Sequence, residues 1–174
     1  MRRVLIVIDM QNDFIDGALG SEEAVNIVPN VINKVNEYVN NNDWILFTVD
    51  THDADTYLDT HEGKLLPIPH CIHGTNGWRL RDGVFPKGYN RCGAFVKHTF
   101  GTDWKGRWTF EKADEIEIVG LCTDICVISN ALILRALYPD ADMKVDSRCC
   151  AGTTPEMHEA ALRVMKSNQI EVIE

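Results

Sequence analysis

The sequence predicts an α/β fold, a six-stranded and mostly parallel sheet with helices on both faces. Three observations carry the prediction. Several short runs are aliphatic or β-branched without polar alternation, the pattern of strands buried on both faces. These runs alternate with stretches of helical periodicity, which builds βαβ units. The chain has 174 residues, within the usual size of one domain and enough for a sizeable core.

The elements follow in order. Residues 4–8 (VLIVI) form the first strand. Val28, Val31, Ile32, Val35 and Val39 recur at helical spacing and give an amphipathic helix. Residues 44–49 form a second buried strand, 94–96 a short third and 116–119 a fourth. Residues 125–137 read as a helix ended by Tyr138-Pro139. A fifth strand covers 143–145. Pro155 opens a helix reaching about Ser167, with Thr153 or Thr154 as its cap and Glu156 in its first turn. Residues 171–173 form the sixth strand. From Thr51 to about Cys92 no element pattern is visible, and four of the six histidines lie there: His52, His61, His70 and His73. A loop this long inside a compact domain reads as functional. No repeat, linker or low-complexity tract divides the chain, so residues 1–174 are expected to form one domain.

Composition narrows the partners. A formal net charge of −9 opposes binding to nucleic acid, which needs a basic face. It equally opposes docking on anionic lipid. The apolar run after Arg2-Arg3 is broken by Asp9, too short for a secretory leader, and no stretch is long enough to span a membrane. The expected location is the cytoplasm. There the six cysteines, Cys71, Cys92, Cys122, Cys126, Cys149 and Cys150, should stay reduced. The last adjacent pair reads as packing beside the fifth strand.

In a parallel sheet, ligands sit beyond the carboxyl ends of the strands. Asp9, Asp50 with His52, Lys97, and residues 120–126 all stand there. Gly120-Leu121-Cys122-Thr123-Asp124-Ile125-Cys126 joins a strand to a helix that Thr123 or Asp124 would cap, placing Cys126 in the first turn. Free amides and the helix dipole there lower a thiol's pKa and can hold an oxyanion. Position alone is equally met by a small buried cysteine. Asp9 and Lys97 each end a hydrophobic strand. They suit a proton carrier and a charge that holds a thiolate, or a structural ion pair.

Residues 8–14 (IDMQNDF), Lys97 after Phe95-Val96, the 120–126 segment, Val145-Asp146 and residues 158–162 (HEAAL) together resemble the isochorismatase-like cysteine hydrolases, nearest the nicotinamidase/pyrazinamidase branch. The resemblance covers nearly the whole chain. It implies a catalytic triad of Asp9, Lys97 and Cys126, a cis peptide between Leu121 and Cys122, and an oxyanion hole from the backbone amides of Cys122 and Cys126. It implies substrate contacts from Phe14 and Leu121, hydrolysis of a small amide, a place in NAD salvage, and a homo-oligomer.

Asp50-Thr51-His52 sets two ligand types two residues apart, followed by Glu62 and His70. Such a donor set suits zinc, iron or manganese. By spacing alone it is also met by solvated loop histidines. The resemblance implies one divalent metal, zinc first, on Asp50, His52, His70 and Glu62, with His61 the alternative to Glu62. A structural zinc site at His70-Cys71-Ile72-His73 is the competing arrangement. In the branch resembled, an aromatic side chain shortly before the last histidine ligand stacks on a pyridine ring. Here residues 65–69 (LLPIP) hold none, leaving Phe100, Trp104 or Trp78 to supply that face.

Overall fold

The computed structural model describes residues 2–105 and 113–174. Among them six strands form one sheet in the order β3-β2-β1-β4-β5-β6. The strands are β1 (Arg3–Ile8), β2 (Trp44–Asp50), β3 (Cys92–Lys97), β4 (Glu115–Leu121), β5 (Asp142–Ala151) and β6 (Glu171–Ile173), and every neighbouring pair is parallel. The lack of polar alternation in β1 has a direct cause. Val4, Ile6 and Ile8 enter one core with Ala131 and Leu134 of α4 (Ile128–Leu137) and Leu162 and Met165 of α5 (Pro155–Ser167). Leu5 and Val7 enter a second core with Ile27, Val31 and Val35 of α2 (Glu22–Asn40). Both faces of the strand leave water. At about 1.5–3 kcal/mol gross per buried aliphatic side chain, neither face tolerates a polar residue without a partner.

The chain reverses its direction of travel at β1: β2 and β3 lie to one side and β4 to the other. This switch opens a crevice beyond the carboxyl ends of β1 and β4.

Several elements exceed their expected limits. α2 starts two turns early, at Glu22, with Ser21 accepting from the Ala24 amide and Pro29 inside the helix. β5 continues to Ala151, so Cys149 and Cys150 lie within the strand, one in each core. The long loop contains a 3₁₀ turn (Tyr57–Asp59) and a short helix, α3 (His61–Leu65). The cap of α5 is Thr154, which accepts from the Met157 amide at 3.1 Å. All six cysteines are free. Among the described residues no helix is long and apolar enough to cross a membrane.

Candidate active site

The backbone itself sets the crevice. Gly120 has φ +124°, and a Cβ there would stand 2.0 Å from the Ile8 carbonyl oxygen. Only glycine lets β4 run this close to β1 one residue before Asp9. Asp9 also has left-handed backbone, φ 45°, strain of the kind that gathers at active sites.

Asp9, Lys97 and Cys126 come together, all nearly inaccessible to solvent. Lys97 Nζ lies 2.7 Å from Asp9 Oδ2, 3.1 Å from Asp50 Oδ1 and 3.5 Å from Cys126 Sγ. Thr48 donates its hydroxyl to Asp9 Oδ1 at 2.7 Å and accepts the Asp9 amide at 3.2 Å. Asp9 Oδ2 thus meets the Lys97 ammonium while Oδ1 takes the Thr48 hydroxyl.

Burial pushes the Cys126 thiol well above its ordinary range; the charge on Asp9 adds to this and Lys97 opposes it. The expected lowering by the helix start does not win, because the site is too dry and already holds an anion. Burial also raises Asp9, against the pull of Lys97. Lys97 stays charged. Burial would lower it, but the charges of Asp9, Cys126 and Asp50 outweigh burial. A thiolate here therefore depends on Asp9 taking the proton. The total charge of the buried group is then unchanged.

The segment after β4 also departs from the expected helix cap. Residues Thr123–Val127 form a π turn before α4, without a side-chain cap. Thr123 is hydrogen-bonded to His158 at 2.8 Å, and Asp124 accepts from the Thr153 amide and hydroxyl. Both side chains tie the turn to α5 instead. The amides of Ile125 and Val127 go to the Cys122 carbonyl. Among the described residues the Cys126 amide between them makes no such bond. The peptide between Leu121 and Cys122 is cis.

Next to this group, donor atoms of Asp50, His52 and His70 lie within 4.8 Å of one another. Asp50 Oδ2 is 3.1 Å from His52 Nε2 and 3.9 Å from His70 Nε2, while Glu62 Oε1 is 3.8 and 3.5 Å from the same two nitrogens. A tetrahedral ion with bonds near 2.1 Å separates its ligand atoms by roughly 3.4 Å, so this nitrogen and carboxylate set fits a divalent ion. The Ile68 carbonyl sits 2.9 Å from His70 Nδ1. A carbonyl only accepts, so Nδ1 carries the hydrogen and Nε2 is left to ligate. Tyr57 stands edge-on to both rings, with centroids at 4.9 Å from His52 and 5.3 Å from His70. His61 is exposed on the cavity wall. The competing His70-Cys71-Ile72-His73 arrangement does not assemble: Cys71 is buried in the α2-side core and His73 packs on Trp78 at 4.9 Å.

The crevice widens into a cavity of about 650 Å³ lined by Cys122, Cys126, the metal-type residues, Phe14, Leu66, Phe100 and Ile125 among others. Phe14 packs against His70 with centroids 5.4 Å apart. Of the aromatics considered for the second face, Phe100 lines the cavity. Trp104 is fully buried in the core, and Trp78 donates to the Thr51 hydroxyl. Leu121, expected at the substrate, lies instead in the α2-side core at 1% exposure and is absent from the cavity lining. As a residue of a central strand its side chain is claimed by packing.

Sequence reasoning missed three residues that hold the site. Gln11 clasps the end of β2, donating to the Asp50 carbonyl at 2.8 Å and accepting the Asp50 amide at 2.7 Å. Asn130 is fully buried and makes four bonds: it donates to the carbonyls of Cys126 and Phe100 and accepts from the Thr102 amide and Trp104 Nε1. Thr48 is the third. A polar residue at a position otherwise apolar on both sides was the available signal for Thr48 and Asn130.

The isochorismatase domain family matches this chain over residues 3–174. The chain belongs to the isochorismatase family. An isochorismatase family protein, PncA, of Bacillus subtilis is 32% identical over 149 residues, covering 76% of this chain and 78% of the relative. The nicotinamidase of Schizosaccharomyces pombe is 28% identical over 207 residues, covering 97% and 91%. The crystal structure of nicotinamidase/pyrazinamidase PncA from Bacillus subtilis superimposes with a TM-score of 0.88 at 32% identity, covering 100% of both chains. The six-stranded α/β architecture is that of this family.

Proposed function

We propose that this isochorismatase-family chain is a cysteine amidohydrolase that converts nicotinamide and water to nicotinate and ammonia. The observation that carries the reading is Lys97 Nζ standing between Asp9 Oδ2 at 2.7 Å and Cys126 Sγ at 3.5 Å, behind a cavity whose wall includes Cys126. The nicotinamidase names of its relatives support the substrate.

Asp9 Oδ2 takes the thiol proton as Cys126 Sγ attacks the carboxamide carbon. Lys97 remains protonated and stabilises whichever anion is present. The carbonyl oxygen, gaining charge, turns to the backbone amides of Cys122 and Cys126. Asp9 returns its proton to the departing nitrogen, which leaves as ammonia. A water then gives a proton to Asp9 and attacks the thioester, and Cys126 departs as the thiol with that proton. Asp50, His52 and His70, with Glu62, would hold one divalent ion, zinc in first place. When bound there, it supplies a Lewis-acid anchor for the pyridine nitrogen. Phe14 and Phe100 flank the ring. The expected cellular setting is NAD salvage in the cytoplasm, and the free cysteines fit a reducing compartment.

A related amidase acting on another small amide or carbamoyl compound is the second reading. It is favoured by the lack of an aromatic residue between Leu65 and Pro69. Ammonia release from nicotinamide, with Cys126→Ala as control, tests the first reading. Release that vanishes in the variant supports it; an inert wild type with metal present and thiol intact removes nicotinamide as substrate.

A further inference from the structure

Two imidazoles in the cavity wall, His61 and His98, have no part in the chemistry above, and His98 is anchored by a backbone carbonyl. His98 follows Lys97 immediately, is exposed, and lines the same cavity as Cys126. Its Nδ1 lies 2.8 Å from the Thr51 carbonyl oxygen. Because a carbonyl can only accept, Nδ1 carries the hydrogen, and in the neutral ring Nε2 is then the lone-pair acceptor. Thr51 is a firm support. Its hydroxyl donates to the Val49 carbonyl at 3.1 Å and accepts from Trp78 Nε1 at 2.7 Å, and the residue is 5% exposed. Among the described residues His98 Nε2 meets no hydrogen-bond partner.

The polar groups of nicotinamide are already matched elsewhere. Its carbonyl oxygen faces the amides of Cys122 and Cys126, its nitrogen leaves past Asp9, and its ring nitrogen belongs to the Asp50, His52 and His70 set. The remaining ring edge is C–H, which offers nothing to an acceptor. Yet the cavity, at about 650 Å³, is of a size that holds drug-sized ligands, well beyond one pyridine ring. Much of its remaining wall, Leu19, Leu65, Leu66, Phe100 and Ile125, is apolar, with Thr60, His61 and Thr99 the polar exceptions. A fixed acceptor in a roomy apolar wall matches a ring that carries one further hydrogen-bond donor.

We infer that His98 is a specificity-determining residue, whose Nε2 accepts an N–H or O–H from a ring substituent, and that the site takes aromatic carboxamides bearing an amino or hydroxyl group. This rests on the amidohydrolase reading above and deepens it.

The test compares kcat/KM for nicotinamides carrying an amino group with those carrying a methyl group of similar size at the same ring carbon. Wild type, His98→Leu and His98→Gln are assayed side by side. The amino-to-methyl ratio cancels general damage to the enzyme, and dividing wild type by variant cancels the substituent's electronic effect. One neutral hydrogen bond corresponds to about three- to tenfold in that double ratio. The expected result is such a fall in His98→Leu at one ring carbon at least, with recovery in His98→Gln, whose side-chain oxygen is again an acceptor. A double ratio near one at every free ring carbon, alongside Cys126-dependent hydrolysis of nicotinamide, overturns the inference and leaves the amidohydrolase reading standing. A wild type that hydrolyses none of these amides overturns both.

Discussion

Replacing Thr48 by valine isolates one interaction at the proton carrier. Thr48 sits in β2 with no exposed surface, and its hydroxyl donates to Asp9 Oδ1 at 2.7 Å. Valine keeps the branched shape and suits a central strand, so the change removes a hydroxyl and little else. A hydrogen bond to a charged group contributes about 1.5–3 kcal/mol. Its loss raises the Asp9 carboxyl further, because the ionised form loses a donor. The sign follows from the site: Thr48 is among the groups that hold Asp9 down against burial. Under the proposed mechanism Asp9 must be ionised to take the thiol proton, so the acid limb of the kcat/KM profile should move to higher pH, with most activity regained on the alkaline side. Thr48→Ser, which keeps the hydroxyl, should leave the limb in place. The valine variant should also lose about 1–3 kcal/mol of stability, because the Asp9 amide loses its acceptor. The assay is a pH series of ammonia release with denaturant melts on the same preparations. A uniform drop in rate with the limb unmoved would refute the reasoning, since it would mean that Thr48 acts through packing alone.

Other variants probe other parts of the fold. Asn130→Ala strips the acceptor from the Thr102 amide; one buried donor left unpaired costs about 1–3 kcal/mol, a Tm loss of roughly 2–10 °C in a thermal melt. Gly120→Ala forces a Cβ to within 2.0 Å of the Ile8 carbonyl oxygen and should give no soluble folded protein, judged by yield and circular dichroism. Asp50→Ala and His52→Ala should each lower bound metal more than about tenfold by elemental analysis; unchanged content would sink the metal assignment. Asp146 is held below the usual carboxylate range, since hydrogen bonds from Arg148 and Lys34 outweigh the opposing effect of burial. Its contribution to stability is present above the unfolded carboxylate range and is lost as pH falls through the lowered folded value, so Asp146→Asn should flatten the Tm profile below about pH 5.

β1, β2 and β4 were legible because each is buried on both faces, which leaves an aliphatic run without polar alternation; β3 and β6, at the two edges of the sheet, are shorter or more exposed and gave weaker runs. The buried carboxylate and ammonium were legible for the same reason inverted: Asp9 and Lys97 end such runs. What stayed hidden was decided by contacts between distant residues. The first turns of α2 carry Pro29 and exposed acids, and only Ser21 and the packing of Ala24 and Ile27 secure them. Thr123 and Asp124 have the chemistry of helix caps, but α5 arrives close enough to claim both. Leu121 stands beside the site in sequence and points away from it, because a strand alternates its faces. The lowering of the Cys126 thiol by a helix start is sound in isolation. It fails here because complete burial and a neighbouring anion oppose it.

Asp50 joins the two halves of the site, and the charge balance explains why they adjoin. Its Oδ1 faces Lys97 at 3.1 Å and its Oδ2 faces His52 at 3.1 Å. Without an ion, Asp9 and Asp50 are two buried carboxylates that share the Lys97 ammonium, and Asp50 leans also on His52, whose imidazole it holds above the usual range. The crowding of carboxylates disfavours a thiolate at Cys126, whose thiol is pushed up by burial and then by Asp9 and Asp50. A divalent cation on Asp50, His52 and His70 would answer the charge of Asp50 and leave Lys97 to serve Asp9 and the sulfur. On this argument the donor set has two roles. It anchors the ring, and it sets the charge against which the thiol is ionised. A relative that lost these ligands would then need a different counter-charge near Asp50, or a neutral residue in its place, to keep the same nucleophile.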